Sequence, residues 1–210
     1  MSESSLTPSA DGPTRLIMMA RVPVYGQVKS RLAKHVGKAR ALATHVELLN
    51  YNAVLAARSE MPFELHFVGD PRRPFFAQLA QSVGASLVEQ VDGDIGMRML
   101  AAARAATSPS LIIGSDCGSM TQRYLHEAAK ALETSDVVIG SAEDGGYVLI
   151  GQRTPFPELF TGVDWGTEKV VAQTRERARG LGVSVVELPV QWDVDSIEDW
   201  RRFQRAKSAQ

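Results

Sequence analysis

Short apolar runs alternate along the chain with longer segments in which apolar residues recur every three or four positions. Short runs of mostly apolar residues are typical of buried strands, and the longer spacing is typical of helices that cover a sheet. Strands are predicted at 15–20, 63–68, 85–89, 111–114, 136–140, 147–150 and 183–188. Helices are predicted at 39–58, 75–83, 95–106, 121–132, 168–181 and 197–207.

This alternation predicts one α/β domain with a mostly parallel sheet flanked by helices. No helix separates the strand at 147–150 from the strand at 136–140, which indicates a mixed sheet. The domain is predicted to cover residues 14–207, and residues 1–13, which hold no apolar stretch, are predicted to form a disordered tail. Ligands bind beyond the carboxyl ends of strands in such sheets, so the chemistry is expected in the loops that follow the strands.

Composition and charge exclude several classes of protein. The chain has 210 residues, and its 23 basic and 24 acidic side chains leave a net charge of −1. Such a balance argues against bulk electrostatic binding to nucleic acid or to an anionic membrane. No apolar run is long enough for a signal peptide or a membrane span, so a cytoplasmic location is expected by default. The sequence leaves the oligomeric state open, a homo-oligomer included.

The loop after the first strand carries three cations and one glycine. Arg21, Lys29 and Arg31 surround Gly26 in this loop, which begins after Ala20. Arginine offers a fork of donors to a phosphate and lysine a compact charge, so the loop is predicted to cradle the phosphates of a nucleotide. A solvated basic loop is the alternative. The loop matches neither a Walker A motif nor the GxGxxG fingerprint.

Carboxylates follow the fourth and the last strand. Asp116 comes directly after an apolar strand, and Mg²⁺ typically takes one or two carboxylates and completes its shell with phosphate and water. Asp116 is therefore a candidate Mg²⁺ ligand, with a turn or helix-capping role as the alternative. Asp195 supplies the second carboxylate, and Asp193 is the weaker candidate.

Three further segments could contact a substrate. In 144–147, paired glycines permit close approach of a ligand and Asp144 could accept hydrogen bonds from a hydroxyl, although a hairpin turn explains the same residues. The helix that opens after Asp94 presents a terminus that attracts anions or the edges of bases. Near 164–167, Thr167 could cap a helix or touch a substrate. The four histidines show no metal-ligand spacing, and Cys117 is most simply a small buried residue.

Six motifs in this order resemble those of the DUF2064 proteins, also called the radical-SAM/selenodomain-associated transferase 1 family and often labelled arsenosugar-biosynthesis glycosyltransferases. They are Gly26-Gln27-Val28-Lys29-Ser30-Arg31-Leu32, Asp94-Ile95-Gly96-Met97-Arg98-Met99, Gly114-Ser115-Asp116-Cys117, Asp144-Gly145-Gly146-Tyr147, Trp165-Gly166-Thr167 and Asp193-Val194-Asp195-Ser196. The basic loop is also similar to that of the 2-phospholactate guanylyltransferases. Two departures are Gly118, where proline is usual, and Arg21, where lysine is common.

The resemblance implies a GT-A-like fold of the nucleotide-diphospho-sugar transferase superfamily, a nucleotide-activated donor and a bound Mg²⁺ or Mn²⁺. It implies Asp116 and Asp195 as metal ligands. The predicted catalytic residues are Asp116, Lys29 and Asp144. The predicted nucleotide- and phosphate-binding residues are Ala20, Arg21, Gly26, Lys29, Arg31, Gly96 and Arg98, and the predicted acceptor-binding residues are Gly145, Gly146, Tyr147, Trp165 and Thr167.

Two reactions fit this fold. In nucleotidyl transfer, an oxygen of a small phosphorylated acceptor attacks the α-phosphorus of a nucleoside triphosphate and diphosphate leaves. In glycosyl transfer, the acceptor attacks the anomeric carbon of a nucleotide sugar. Glycosyltransferases of this fold usually present an Asp-x-Asp motif, whereas Asp116 is followed by Cys117 and Gly118, which favours nucleotidyl transfer. A non-catalytic nucleotide-binding protein is the third possibility, and the intact charges argue against it.

Overall fold

The computed structural model describes residues 12–70 and 74–208, and the elements in these ranges alternate largely as predicted. The strands are β1 (Arg15–Arg21), β2 (Phe63–Val68), β3 (Ser86–Glu89), β4 (Ser110–Gly114), β5 (Val137–Ala142), β6 (Tyr147–Gln152) and β7 (Val185–Gln191). The α-helices are α1 (Ser30–Val36), α2 (Lys38–Ala57), α3 (Phe75–Val83), α4 (Ile95–Ala105), α5 (Gln122–Ala131), α6 (Val170–Leu181) and α7 (Ile197–Ser208).

Several boundaries differ from the prediction. Helix α1 lies in a segment that was predicted as loop, and a short 3₁₀ helix at Pro157–Leu159 was not predicted. Only Leu32 of α1 is buried, so this helix leaves no periodic apolar pattern in the sequence. Strand β7 begins two residues later than predicted and ends three residues later. Residues 1–11 of the predicted tail lie outside the described residues.

The seven strands of the described residues form one sheet in the order β3-β2-β1-β4-β6-β5-β7. Strand β6 pairs antiparallel with β4 and β5, and the other neighbours pair parallel. The predicted mixed α/β sheet is therefore confirmed. Because β6 runs in the opposite direction, its first residue, Tyr147, lies at the edge where the parallel strands end.

The core lies on both faces of this sheet. Successive residues of β1 alternate between the two faces, with Leu16 and Met18 on the face covered by α2, α3 and α5. Ile17 and Met19 lie on the face covered by α4 and α6. No helix in the described ranges combines the length and the apolar character that crossing a bilayer requires.

Candidate active site

Two adjoining pockets open at the edge of the sheet where the parallel strands end. The larger pocket, about 450 Å³, contains the cations and is called the basic pocket. It is lined by Met19, Ala20, Arg21, Gln27, Val28, Lys29, Ser30, Arg31, His45, Val68, Gln90, Ile95, Arg98, Gly114, Ser115, Asp116, Tyr147, Val148, Asp193 and Asp195. The smaller one, about 240 Å³, is called the aromatic pocket. It is lined by Met19, Ile95, Met99, Ile112, Ile113, Gly114, Asp144, Gly146, Tyr147, Val148, Trp165, Gly166, Val170 and Asp193.

Lys29 joins the loop after β1 to the two carboxylates predicted as metal ligands. Its Nζ lies 2.9 Å from Oδ2 of Asp116 and 3.1 Å from Oδ1 of Asp195. The side chain is only 3% exposed, and the backbone adopts a left-handed conformation with φ 49° just before α1. Burial works to lower the pKa of Lys29, but the charges of Asp116 and Asp195 outweigh it and raise the pKa. Lys29 is therefore a fixed cation at the centre of the site.

Asp116 is held as a carboxylate at the end of β4. Burial acts to raise the pKa of Asp116, but the interactions with Lys29 and His45 outweigh it and lower the pKa to about 2. Its Oδ1 is buried and has no hydrogen-bond partner among the described residues. Nδ1 of His45, which likewise has no hydrogen-bond partner in the described chain, lies 3.7 Å from this oxygen. The site thus presents one carboxylate oxygen with unused capacity to bind a ligand.

His45 on α2 belongs to the site although the sequence analysis treated it as ordinary. Its Nε2 donates a hydrogen bond to the carbonyl oxygen of Arg21 at 3.1 Å, while Nδ1 faces Asp116. The residue therefore connects the end of β1 to the loop after β4. A lone histidine on the buried face of a predicted helix carries no sequence signal for such a position.

Asn52 lies about two turns after His45 on α2 and holds the backbone on both sides of Asp116. Its Nδ2 lies 3.1 Å from the carbonyl oxygens of both Ser115 and Cys117, as well as from that of Leu48 in its own helix. Asn52 is fully buried. Nothing in the sequence indicates this role of Asn52, because the contacts join positions more than 60 residues apart.

We expect Asn52→Ala to lower the free energy of unfolding by about 1–3 kcal/mol, because it leaves buried carbonyl groups without donors. The same change should loosen the position of Asp116. Chemical denaturation measures the first effect. Asn50→Ala is the matched control, since Asn50 is exposed and its side chain bonds only within α2, to the carbonyl oxygen of Val46. Equal losses of the free energy of unfolding in the two variants would contradict the role of Asn52 in holding the loop at 115–117.

The segment after β7 pairs with the segment after β4. The N–H of Gly118 donates to the carbonyl of Trp192, and the N–H of Val194 donates to the carbonyl of Asp116, both at 3.0 Å. Asp193, between them, lies where the two pockets meet. Burial and the nearby charge of Asp116 raise the pKa of Asp193 to about 7. A bound cation would relieve this crowding of negative charge.

Cys117 points into the core rather than into either pocket. It is fully buried, and its Sγ lies 3.7 Å from the hydroxyl of Ser119. Burial raises the pKa of the thiol to about 11, with a further contribution from the charge of Asp193. Such a thiol is inert at neutral pH, which agrees with the interpretation of Cys117 as a buried packing residue.

Five of the predicted nucleotide-binding residues line the basic pocket: Ala20, Arg21, Lys29, Arg31 and Arg98. Arg21 and Arg31 are exposed, and Nε of Arg98 is buried without a hydrogen-bond partner within the described ranges. The structure does not bring the two predicted glycines to the pocket wall. Gly26 forms a turn with φ 72°, and Gly96 lets the ring of Trp165 approach, since a Cβ there would lie 2.5 Å from Cζ2 of that ring.

Three of the predicted acceptor-binding residues, Gly146, Tyr147 and Trp165, line the aromatic pocket together with Asp144. The rings of Tyr147 and Trp165 meet edge to face, with centroids 6.3 Å apart. Burial raises the pKa of Tyr147, so its hydroxyl stays protonated.

The turn between β5 and β6 explains the remaining part of the 144–147 motif. Oδ1 of Asp144 accepts a hydrogen bond from the N–H of Gly146 at 3.0 Å, and the N–H of Ala142 donates to the carbonyl of Gly146. The hairpin interpretation is therefore correct, and Asp144 also reaches the pocket. Gly145 and Thr167 do not line it. A Cβ on Gly145 would overlap the backbone of Glu168, and the hydroxyl of Thr167 donates to the carbonyl of Asp164 at 2.7 Å.

The carboxylates fit a hard cation such as Mg²⁺ or Mn²⁺. No group of three or more His, Cys, Asp or Glu side chains in the described ranges is arranged to hold a metal ion on its own. Mg²⁺, however, commonly takes one or two carboxylates and obtains its other ligands from phosphate and water. The buried Oδ1 of Asp116 and the half-exposed carboxylate of Asp195 are ligands of this kind.

Solved structures share this fold. A protein from Desulfovibrio desulfuricans G20, provisionally assigned as a nucleotide-diphospho-sugar transferase, is 28% identical with a TM-score of 0.83 over 92% of this chain and 87% of that one. A cytidylyltransferase from Leptospira borgpetersenii is 13% identical with a TM-score of 0.60, over 94% and 87% of the two chains. Glucosyl-3-phosphoglycerate synthase from Mycobacterium tuberculosis, in complex with Mn²⁺, UDP and glucosyl-3-phosphoglycerate, is 13% identical with a TM-score of 0.52, over 95% of this chain and 79% of that one.

These similarities confirm the GT-A-like fold. The similarity to the Desulfovibrio protein confirms the predicted class, a transferase of the nucleotide-diphospho-sugar transferase superfamily. The chain belongs to the DUF2064 family, described as "uncharacterized protein conserved in bacteria", whose family model matches residues 51–167. No curated protein matches the chain.

Proposed function

We propose that this protein transfers a nucleotidyl group from a nucleoside triphosphate to the phosphate of a small acceptor. The observation that carries the proposal is the basic pocket, in which Arg21, Lys29, Arg31 and Arg98 accompany the carboxylates of Asp116 and Asp195. Four cations suit the high negative charge of a triphosphate chain better than that of a diphosphate. The cytidylyltransferase with this fold performs chemistry of the same class.

The residues of the chain then have distinct tasks. Arg21, Arg31 and Arg98 bind the phosphates of the triphosphate and align the α-phosphorus with the attacking oxygen. That oxygen forms a new bond to the α-phosphorus, and the bond from the α-phosphorus to the bridging oxygen of the β-phosphate breaks. The departing diphosphate keeps the electron pair. Lys29, fixed beside Asp116, stabilises the charge that builds on the phosphate oxygens during this exchange.

A divalent cation would be held by Asp116 and Asp195, and when bound it would neutralise charge on the phosphates of the donor. The Mn²⁺ in glucosyl-3-phosphoglycerate synthase supports a metal in this fold. The buried Oδ1 of Asp116 supports the same assignment in this chain.

Glycosyl transfer from a nucleotide sugar is the second candidate. Asp144 favours it, because this exposed carboxylate lines the aromatic pocket and could accept the proton of an acceptor hydroxyl. Glucosyl-3-phosphoglycerate synthase, bound to UDP, is a neighbour of this kind.

A thermal-shift screen separates these candidates. Nucleoside triphosphates, UDP-sugars, GDP-sugars and plain nucleosides are each tested with Mg²⁺, with Mn²⁺ and with a chelator. We expect a metal-dependent shift with one triphosphate, since a ligand at 100 times its Kd adds about 2.7 kcal/mol to the free energy of unfolding. A shift only with a nucleotide sugar and its diphosphate would favour glycosyl transfer. No shift with any of them would favour the non-catalytic protein.

A further inference from the structure

The aromatic pocket differs sharply in charge from the basic pocket beside it. None of the described residues that line the aromatic pocket is Lys, Arg or His, whereas the basic pocket has four Lys or Arg side chains. Two lining residues of the aromatic pocket are carboxylates, Asp144 and Asp193. An anionic group beside Asp144 would face this carboxylate with no Lys or Arg among the described residues that line the pocket, which costs free energy.

The remaining lining of the aromatic pocket suits an uncharged ring or chain with hydroxyl groups. Trp165 and Tyr147 offer aromatic surface, and Met99 and Ile112 add apolar surface. Oδ1 of Asp144 is fixed by the N–H of Gly146, so the carboxylate is already oriented to accept hydrogen bonds from hydroxyl groups. An apolar surface with a few oriented acceptors is the usual composition of a pocket for a small neutral molecule.

The two pockets share several lining residues, and the transfer would occur where the pockets meet. Gly114, Tyr147 and Asp193 line both, and Lys29 lies on the basic side with the carboxylates. A molecule whose body fills the aromatic pocket can therefore extend one phosphate toward Lys29 while the rest of it stays away from the cations.

We propose that the aromatic pocket holds the body of the acceptor and that this body is uncharged and hydroxyl-bearing, with its single anionic group at the transferred phosphate. This inference rests on the proposed nucleotidyl transfer. A carboxylate or a second phosphate on the acceptor body is rejected. The acceptor therefore differs in charge from 2-phospholactate, which carries a carboxylate in addition to its phosphate.

Matched pairs of phosphomonoesters test this charge preference. Glucose 1-phosphate is compared with glucuronate 1-phosphate, and glycerol 3-phosphate with 3-phosphoglycerate, because the members of each pair differ in a carboxylate. Binding is measured by calorimetry to protein saturated with Mg²⁺ and a triphosphate analogue that has a methylene bridge between the α- and β-phosphorus. In at least one pair, we expect the neutral-bodied member to bind with an affinity at least about tenfold higher than that of its partner.

A variant makes the test specific to the pocket. Asp144→Asn keeps the oxygen that accepts from Gly146 but removes the charge, so the preference for the neutral-bodied member should fall several-fold. Glu127→Gln is the control, because it removes the same charge from a partly exposed position on α5, paired with Arg123 and outside both pockets. Its selectivity should equal that of the wild type.

Each result decides between the two proposals. Equal or tighter binding of the carboxylate-bearing members, or no binding by any neutral-bodied member, overturns the inference, and a persisting shift with a triphosphate then leaves the donor assignment standing. A neutral-body preference in protein that binds no triphosphate overturns nucleotidyl transfer, and the charge preference of the pocket survives. An unchanged preference in Asp144→Asn overturns the role given to Asp144.

Discussion

Asp116→Asn is expected to remove most of the metal-dependent triphosphate affinity while the protein still folds. The substitution removes the charge of the predicted metal ligand at the end of β4 and keeps the shape of the side chain. A bound metal contributes several kcal/mol of charge stabilisation, so we expect the affinity for a triphosphate with Mg²⁺ to fall about 100-fold. The side chain of Asp116 is 39% exposed, so the loss of its ion pair with Lys29 should reduce the free energy of unfolding by only about 1 kcal/mol.

Calorimetry with and without Mg²⁺ measures this effect, and circular dichroism verifies the fold. Asp92→Asn is the matched control, because Asp92 is exposed and lines neither pocket. Its metal-dependent affinity should equal that of the wild type. Unchanged Mg²⁺-dependent affinity in folded Asp116→Asn protein would show that Asp116 does not hold the metal.

Lys29→Met is expected to lower triphosphate affinity about 100-fold and to change nucleoside affinity little, because a preorganised cation acts on phosphate and not on the base. Methionine retains most of the apolar stem that is buried here, so packing is largely kept. Asp116 and Asp195 lose their shared partner, but with side chains 39% and 48% exposed they remain hydrated. We therefore expect the free energy of unfolding to drop by no more than about 1–2 kcal/mol.

The comparison of triphosphate with nucleoside is the decisive part of this experiment. Arg31→Ala should also weaken triphosphate binding, but less than Lys29→Met does, since Arg31 is an exposed side chain in the first turn of α1. A loss of equal size for nucleoside and triphosphate in Lys29→Met would indicate general damage to the pocket and would contradict a phosphate contact.

Those parts of the fold that depend on local patterns could be predicted from the sequence. The antiparallel β6 follows from the absence of a helix between it and β5. Strands β1 and β4 follow from short continuous apolar runs, which are typical of buried strands. Helix α1 could not be predicted, because one buried residue in seven gives no period. Strand β7 lies at one edge of the sheet, and its residues are little buried. Its apolar pattern is therefore weak, which explains the error in its predicted bounds.

The residues of the candidate site also fall into those that a sequence rule predicts and those that only the tertiary structure reveals. Asp116 and Asp195 follow strands, and the rule that parallel strands end at one edge brings them together even though they are 79 positions apart, the difference of their two residue numbers. His45 and Asn52 follow no such rule, because they reach the site only through the packing of α2 against the loop after β4. In the sequence they are polar residues inside a helix. Their roles exist only at the level of tertiary structure.

Cys117, buried next to Asp116, gives the protein a built-in reporter of local opening. A shielded thiol with a raised pKa reacts with alkylating agents only when the segments 116–118 and 192–194 separate. The labelling rate then measures how often this part of the molecule opens. A ligand that binds Asp116 only in the closed form slows labelling in proportion to its occupancy. The occupancy of the site can thus be followed in the native chain before any product of the reaction is known.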